Sequence, residues 1–181
     1  KSIVDLANAV AFVDIRDGLA VEMESTGTPG PKPTLCIAAD VVRAAADRVV
    51  RLRTDYPGES VVVLAHTNAH AKKVHCELLK REVHSVSNSS ANDREIRPIH
   101  PSQRDAVECC TIHGKKGGEA DHVVLVSAHD RGDYMEELYG CESKRLLYTA
   151  VTRARRTLWM ASSKAGQQVV CRWLKGCEAL L

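Results

Sequence analysis

The sequence predicts an α/β fold in which a parallel sheet is joined by crossover helices. Apolar β-branched runs alternate with amphipathic stretches along the chain, as strands and helices alternate in such sheets. "SVVVLA" (Ser60 to Ala65) is aliphatic without interruption, which suits a central parallel strand covered on both faces. Val41, Val42, Ala45, Val49 and Leu52 recur on one side of a helix at about 100° per residue, while Arg43, Asp47 and Arg51 face away.

The elements follow in order. "SIVDLANAVAFVD" opens as a helix, "TGTPGPKP" (Thr26 to Pro33) breaks the chain, and "TLCIA" forms a strand before the helix around Val41 to Leu52. After "SVVVLA" comes the helix "NAHAKKVHCELLKRE", with Asn68 expected as its N-cap and Lys72, Lys73, Lys80 and Arg81 expected on a solvated face. Residues 84–105 form a polar surface connection that contains Pro98 and Pro101. A strand (Val107 to Ile112), a glycine-rich turn (Gly114 to Gly118) and another strand (His122 to Ser127) follow, then a loop through Asp133 to Gly140. A basic helix, a strand "TLWMAS" and an amphipathic helix (Gln167 to Leu180) close the series, with Trp159 and Trp173 expected in the core.

Composition limits the reading further. A chain of 181 residues with 44% hydrophobic and 27% charged content builds one ordinary core, so residues 1–181 are expected to form a single domain. Net charge is only +2, so any nucleic-acid site must be a local patch. Seven cysteines form no CxxC pair and no zinc spacing, and their odd number suits a reduced, intracellular protein without a metal site. No apolar run approaches the roughly 18–20 residues of a membrane span, and the first residues lack the apolar stretch of a secretory signal. The chain starts at Lys1 and not at Met, which reads as a segment of a longer protein.

The stretch "ESKRLLYTAVTRARRTLWM" (Glu142 to Met160) poses the functional question, because it sets five cations between Lys144 and Arg156 around an aliphatic stripe. Leu146, Leu147, Ala150, Val151 and Ala154 form the stripe, and Arg153 falls at its edge. Arg155 and Arg156 suit the negative end of a helix dipole. An arginine at the margin of a core calls instead for an anionic partner, and its planar donor fork suits phosphate or carboxylate.

These residues carry a resemblance. "LLYTAVTRARRTLWM" resembles motif VI of the UvrD/Rep-type superfamily 1 helicases, and "TIHGKKGGEADHVVLV" (Thr111 to Val126) resembles the motif V that precedes it. "VVVLAHTNAHAKKVHCELLKR" is similar to the motif IV strand and helix, and "SIVDLAN" to the helix entering the second motor domain. The resemblance implies a RecA-like (P-loop NTPase-type) sheet flanked by helices on both faces, the domain called 2A. No GxxxxGK[ST] phosphate loop occurs in the chain. ATP and Mg²⁺ would therefore be held mainly by a first RecA-like domain of the same parent chain. Where relatives insert a 2B subdomain, only the connection 84–105 stands here.

What the resemblance implies for single residues follows the chemistry. Phosphoryl transfer builds charge on equatorial oxygens, and an arginine from a facing domain stabilises it, so Arg153 would be the finger. Glu119 would touch the ribose, Gly117 would let backbone approach the nucleotide, and His66 would stand where an arginine meets the terminal phosphate. Thr111, His113 and Lys116 would hold the backbone of single-stranded nucleic acid, DNA in preference to RNA, through contacts blind to sequence. Ala65 and His66 replace the usual aromatic and arginine of motif IV, and Gly118 replaces a large aliphatic residue. Two readings of different class remain: the second motor half of an ATP-dependent helicase, or a relict domain kept only to bind nucleic acid or protein. The chain alone is expected to hydrolyse no ATP.

Overall fold

A computed structural model of the chain describes residues 2–12, 31–87, 105–115, 118–126, 146–164 and 166. Its centre is a six-stranded sheet in the order β1-β6-β5-β2-β4-β3, and every adjacent pair is parallel. The strands are β1 (Thr34–Ile37), β2 (Val61–Ala65), β3 (Ser85–Ser87), β4 (Val107–Thr111), β5 (Ala120–Val126) and β6 (Ala154–Ser162). The helices are α1 (Ser2–Phe12), α2 (Val41–Asp55) and α3 (Asn68–Lys80), with a further helical segment at 146–151.

Side chains alternate across a strand, and here each alternate set enters a different core. Val62, Leu64, Val123, Leu125, Leu158 and Met160 meet α1 and the 146–151 segment on one face. Their neighbours Val61, Val63, Val124, Val126, Trp159 and Ala161 meet α2 and α3 on the other. The sheet is therefore covered by helices on both faces, and the unbroken aliphatic character of "VVVLA" follows from supplying two cores at once. Cys109 and Cys110 divide the same way, one into each core, and both are fully buried. Burial pushes the Cys109 thiol up to about 12 and the Cys110 thiol higher still, with the Glu108 carboxylate adding to both.

The chain departs from expectation at three boundaries. The side chain that caps α3 is Thr67 and not Asn68: its hydroxyl accepts from the His70 N–H at 3.2 Å. Asp40 caps α2 by the same device, accepting from the Arg43 N–H at 3.0 Å. Residues 85–87, expected inside the polar connection, form β3 and pair with β4. The helix before β6 ends at 151, so Arg153 occupies the following turn while Arg155 and Arg156 lie on β6 itself. The helical stripe appeared to run on through Ala154 because that residue still packs against the same core from the strand. Trp159 is buried, as expected of a core residue. The loop from Asp133 to Gly140, the terminal helix and Trp173 lie outside the described residues.

Leu125 sits on β5 with no exposed surface, between β2 and β6. Leu125→Ala is expected to lower unfolding free energy by about 2–5 kcal/mol, from lost transfer energy plus the cavity left in a parallel sheet that cannot close over it. Urea unfolding of the two proteins measures the difference.

Candidate functional site

In a parallel sheet every strand starts at one edge and ends at the other, so the connections fall into two groups. At the starting edge the Ala120 N–H donates to the Arg153 carbonyl at 2.9 Å. Glu119 and Arg153 are thus brought side by side, each one residue before its strand begins. At the ending edge the Ile112 N–H donates to the Ala65 carbonyl at 3.0 Å, which puts Thr111 and His113 beside His66. His66 is therefore not brought to Glu119 and Arg153. The length of β5, seven residues, separates the two edges by about 20 Å. Lys116 and Gly117 lie outside the described residues.

The three arginines around the start of β6 differ in partner. The Arg155 Nε donates to Glu119 Oε2 at 2.8 Å, both side chains being largely exposed. That pairing raises the guanidinium's pKa above its ordinary value. Arg156 donates through Nη1 to Glu59. The expectation that Arg155 and Arg156 serve a helix terminus gives way here: both are strand residues with carboxylate partners. Arg153 is held by neutral oxygens alone among the described residues. Its Nε donates to the Thr149 carbonyl and its Nη2 to the Thr152 hydroxyl, each at 3.2 Å. A guanidinium has five N–H donors, so three remain after these two contacts.

Below this edge runs a polar network that sequence reasoning missed. His122 is buried on β5, with Nδ1 2.7 Å from the Thr157 hydroxyl and Nε2 2.8 Å from Glu59. A carboxylate only accepts, so Nε2 carries the proton and Nδ1 accepts from Thr157. Burial holds the imidazole pKa below 6.5, and the Glu59 contact only partly offsets this. Beside it the Ser60 hydroxyl and N–H both donate to Asp121, at 2.7 and 2.9 Å, and keep that carboxyl low. The signal was legible as a histidine inside an aliphatic strand run, "DHVVLV".

The ending edge is organised by the connection from β4 to β5. The Thr111 hydroxyl accepts from the Gly114 N–H at 3.1 Å and closes the 3₁₀ turn His113–Lys115. A Cβ on Gly114 would stand 3.2 Å from that hydroxyl, so the turn is tight at glycine. Lys115 then reaches back to pair with Glu108, a mostly buried carboxylate on β4. Glu108 interrupts the apolar run "VECCT", and that charge was the available signal for a buried ion pair.

With this geometry in place, comparison with known proteins is informative. Residues 106–161 match the UvrD-like helicase C-terminal domain. The matched span takes in the two stretches, within Thr111 to Met160, whose residues resemble motifs V and VI of that kind of helicase. The chain is also 27% identical over 89 residues to DNA helicase IV of Escherichia coli K12, an alignment covering 40% of this chain and 13% of that protein. The chain thus spans a small part of that relative. Among solved structures, the C-terminal domain of a possible DNA helicase from Lactobacillus plantarum WCFS1 superposes with a TM-score of 0.63 at 14% identity, over 97% of this chain and 92% of that one. The Hef helicase domain of Pyrococcus furiosus superposes with a TM-score of 0.50 at 13% identity, over 75% of this chain and 28% of that one. The chain shares with these domains its fold, a parallel sheet covered by helices on both faces. No helix among the described residues is long and apolar enough to cross a membrane.

Two tests follow. Lys115→Met strands the buried Glu108 carboxylate and is expected to cost about 3–5 kcal/mol, whereas Arg155→Ala removes an exposed pair and should leave stability nearly unchanged; chemical denaturation of both variants decides the order. The second concerns pH. His122 has a folded pKa below its unfolded 6.5, so the unfolded chain binds the extra proton first and stability falls as pH drops below 6.5. The thermal midpoint should decline through that window, and His122→Gln should flatten the decline.

Proposed function

We propose that this chain is the second motor domain of an ATP-dependent nucleic-acid helicase or translocase. The observation that carries the proposal is the uncompensated charge of Arg153. Of the three arginines at this edge, the other two are matched by carboxylates, while Arg153 keeps free donors and full charge beside Glu119. That is the state required of a group that stabilises phosphoryl oxygens supplied by a facing domain.

The described residues fit a nucleotide in a limited way. ATP bound by a facing motor domain would bring the reactive phosphoanhydride and its Mg²⁺ to this edge. Arg153 would present its remaining N–H donors to the terminal phosphate, and its position in a turn beyond the helix end leaves the guanidinium near the surface. Glu119 would accept from a ribose hydroxyl, an exchange made cheap because its present partner, Arg155, is exposed to water. Gly117 would keep the approach free of a Cβ.

At the other edge Thr111 and His113 would follow the strand's phosphates, and the resemblance implies the same role for Lys116. His66 stands with this group, and we assign it there and not to the nucleotide. The partial sequence match to DNA helicase IV favours DNA over RNA. The reading as a relict binding domain rests on the Ala65/His66 pair, which stands in place of an aromatic and an arginine. Ala65 is fully buried, so the exchange concerns core volume more than stacking on a base.

Arg153→Ala, made in the full-length protein, should cut steady-state hydrolysis by about 10³-fold or more with single-stranded DNA saturating. Melting temperature and nucleotide affinity should change little, because a contact to the transition state lowers kcat more than ground-state binding. Arg51→Ala, an exposed α2 arginine, is the control. Normal turnover by Arg153→Ala would make it a structural charge, and turnover by the 181-residue chain alone would place the catalytic half elsewhere.

A further inference from the structure

The face covered by α2 and α3 has a feature that the proposed function leaves unused. An open groove of about 900 Å³ lies between the first turn of α2 and the outer side of α3. Lys72, Lys73, Lys80 and Arg81, read from the sequence as a solvated face, all line it together with Arg43. Their charges are not equally matched. Arg81 pairs with Asp47 and Glu77, and Lys80 pairs with Glu77. Asp40, the remaining carboxylate of the lining, is engaged by the N-terminus of α2. Arg43, Lys72 and Lys73 are exposed and have no carboxylate partner among the described residues.

Three unmatched cations in one groove, on a chain whose whole net charge is +2, form a local positive field that an anion relieves. The rest of the lining identifies the anion. Val42, Ala69 and Cys76 are the apolar contributors. None is aromatic or large, so the groove offers neither the anchor pocket that a peptide partner requires nor a platform on which a base could stack. What remains is recognition of charge on a polymer, independent of sequence. Place in the fold agrees with this. α2 and α3 both start at the ending edge of the sheet, directly after β1 and β2, so Arg43, Lys72 and Lys73 lie toward the edge that carries Thr111 and His113.

We propose that the α2/α3 groove is a second binding surface for the phosphodiester backbone of nucleic acid, continuing the path that begins at Thr111 and His113. It rests on the reading of that edge as a nucleic-acid contact, and the two are separable by experiment. Binding of fluorescein-labelled oligothymidylate to the 181-residue chain is followed by anisotropy between about 50 and 200 mM salt. The substitutions are Arg43→Ala/Lys72→Ala/Lys73→Ala for the groove and Thr111→Val/His113→Ala for the edge.

The groove variant should bind about tenfold or more weakly at low salt, and its log–log salt slope should fall by about two, since each single-strand phosphate contact contributes roughly 0.7. Unchanged affinity and slope in that variant overturn the groove, whatever the edge variant does. A loss confined to the groove variant supports the groove and removes the edge reading. No binding by the unaltered chain at low salt overturns both. A labelled polyglutamate that binds as tightly as the oligonucleotide, and is lost in the groove variant, makes the groove a peptide site and also overturns the proposal. Should the triple variant melt early, Lys72→Gln/Lys73→Gln keeps the side-chain bulk and must lower the slope by about 1.4.

Discussion

The buried pair between Lys115 and Glu108 is the interaction on which the arrangement of both edges depends. A parallel connection must return the chain from the end of one strand to the start of another, and β2 lies between β4 and β5. Between Thr111 and Ala120 only eight residues are available for that return. Extended chain covers at most about 3.3–3.6 Å per residue, and three of the eight are spent in a 3₁₀ turn. The connection has little length to spare, and the ion pair fixes it to β4 partway along. Glu108 needs this partner because a carboxylate without one is costly at that depth. Thr111 and His113 are consequently set at one edge and Glu119 at the other, by a single short segment.

Much of this architecture was legible in the sequence. Two-sided strands announce themselves by unbroken apolar runs, as in β2, in residues 123–126 of β5 and in residues 158–161 of β6. What the sequence left open was which edge each motif occupies. His66 and Glu119 look alike as polar residues next to aliphatic strands, yet one follows its strand and the other precedes it. The helix end before β6 was hidden for another reason. Ala154 extends the helical pattern by coincidence, packing on the same core from a different element. Arg155 and Arg156 could then pass for helix-end cations, although their partners, Glu119 and Glu59, are distant in sequence. Lys72, Lys73 and Lys80 are exposed, as a solvated face requires, but no pattern within α3 reveals that Arg81 is drawn into a pair with Asp47 of α2.

The arginines at the start of β6 show how similar side chains acquire different duties. Arg156 balances Glu59, which also receives the His122 proton, so its charge belongs to the foundation of the sheet edge. Arg155 is shared with Glu119 in water. Arg153 is positioned by a carbonyl and a hydroxyl, groups that orient a guanidinium without cancelling it. Neutral oxygens as supports give direction at no cost in charge, and two threonines at the helix end supply them. The Thr152 hydroxyl therefore gives that threonine a physical reason, while the carbonyl at 149 is one that any residue would supply.

Cys109 and Cys110 offer a different use of the same sheet. They are consecutive, protonated and sealed, and they point into separate cores. A thiol reacts as its thiolate, so neither can be alkylated until the layer over it opens to water. The molecule thus carries a pair of internal clocks, one beneath α2 and α3 and one beneath α1. The order in which the two sulfurs become labelled would tell which layer of the domain breathes first.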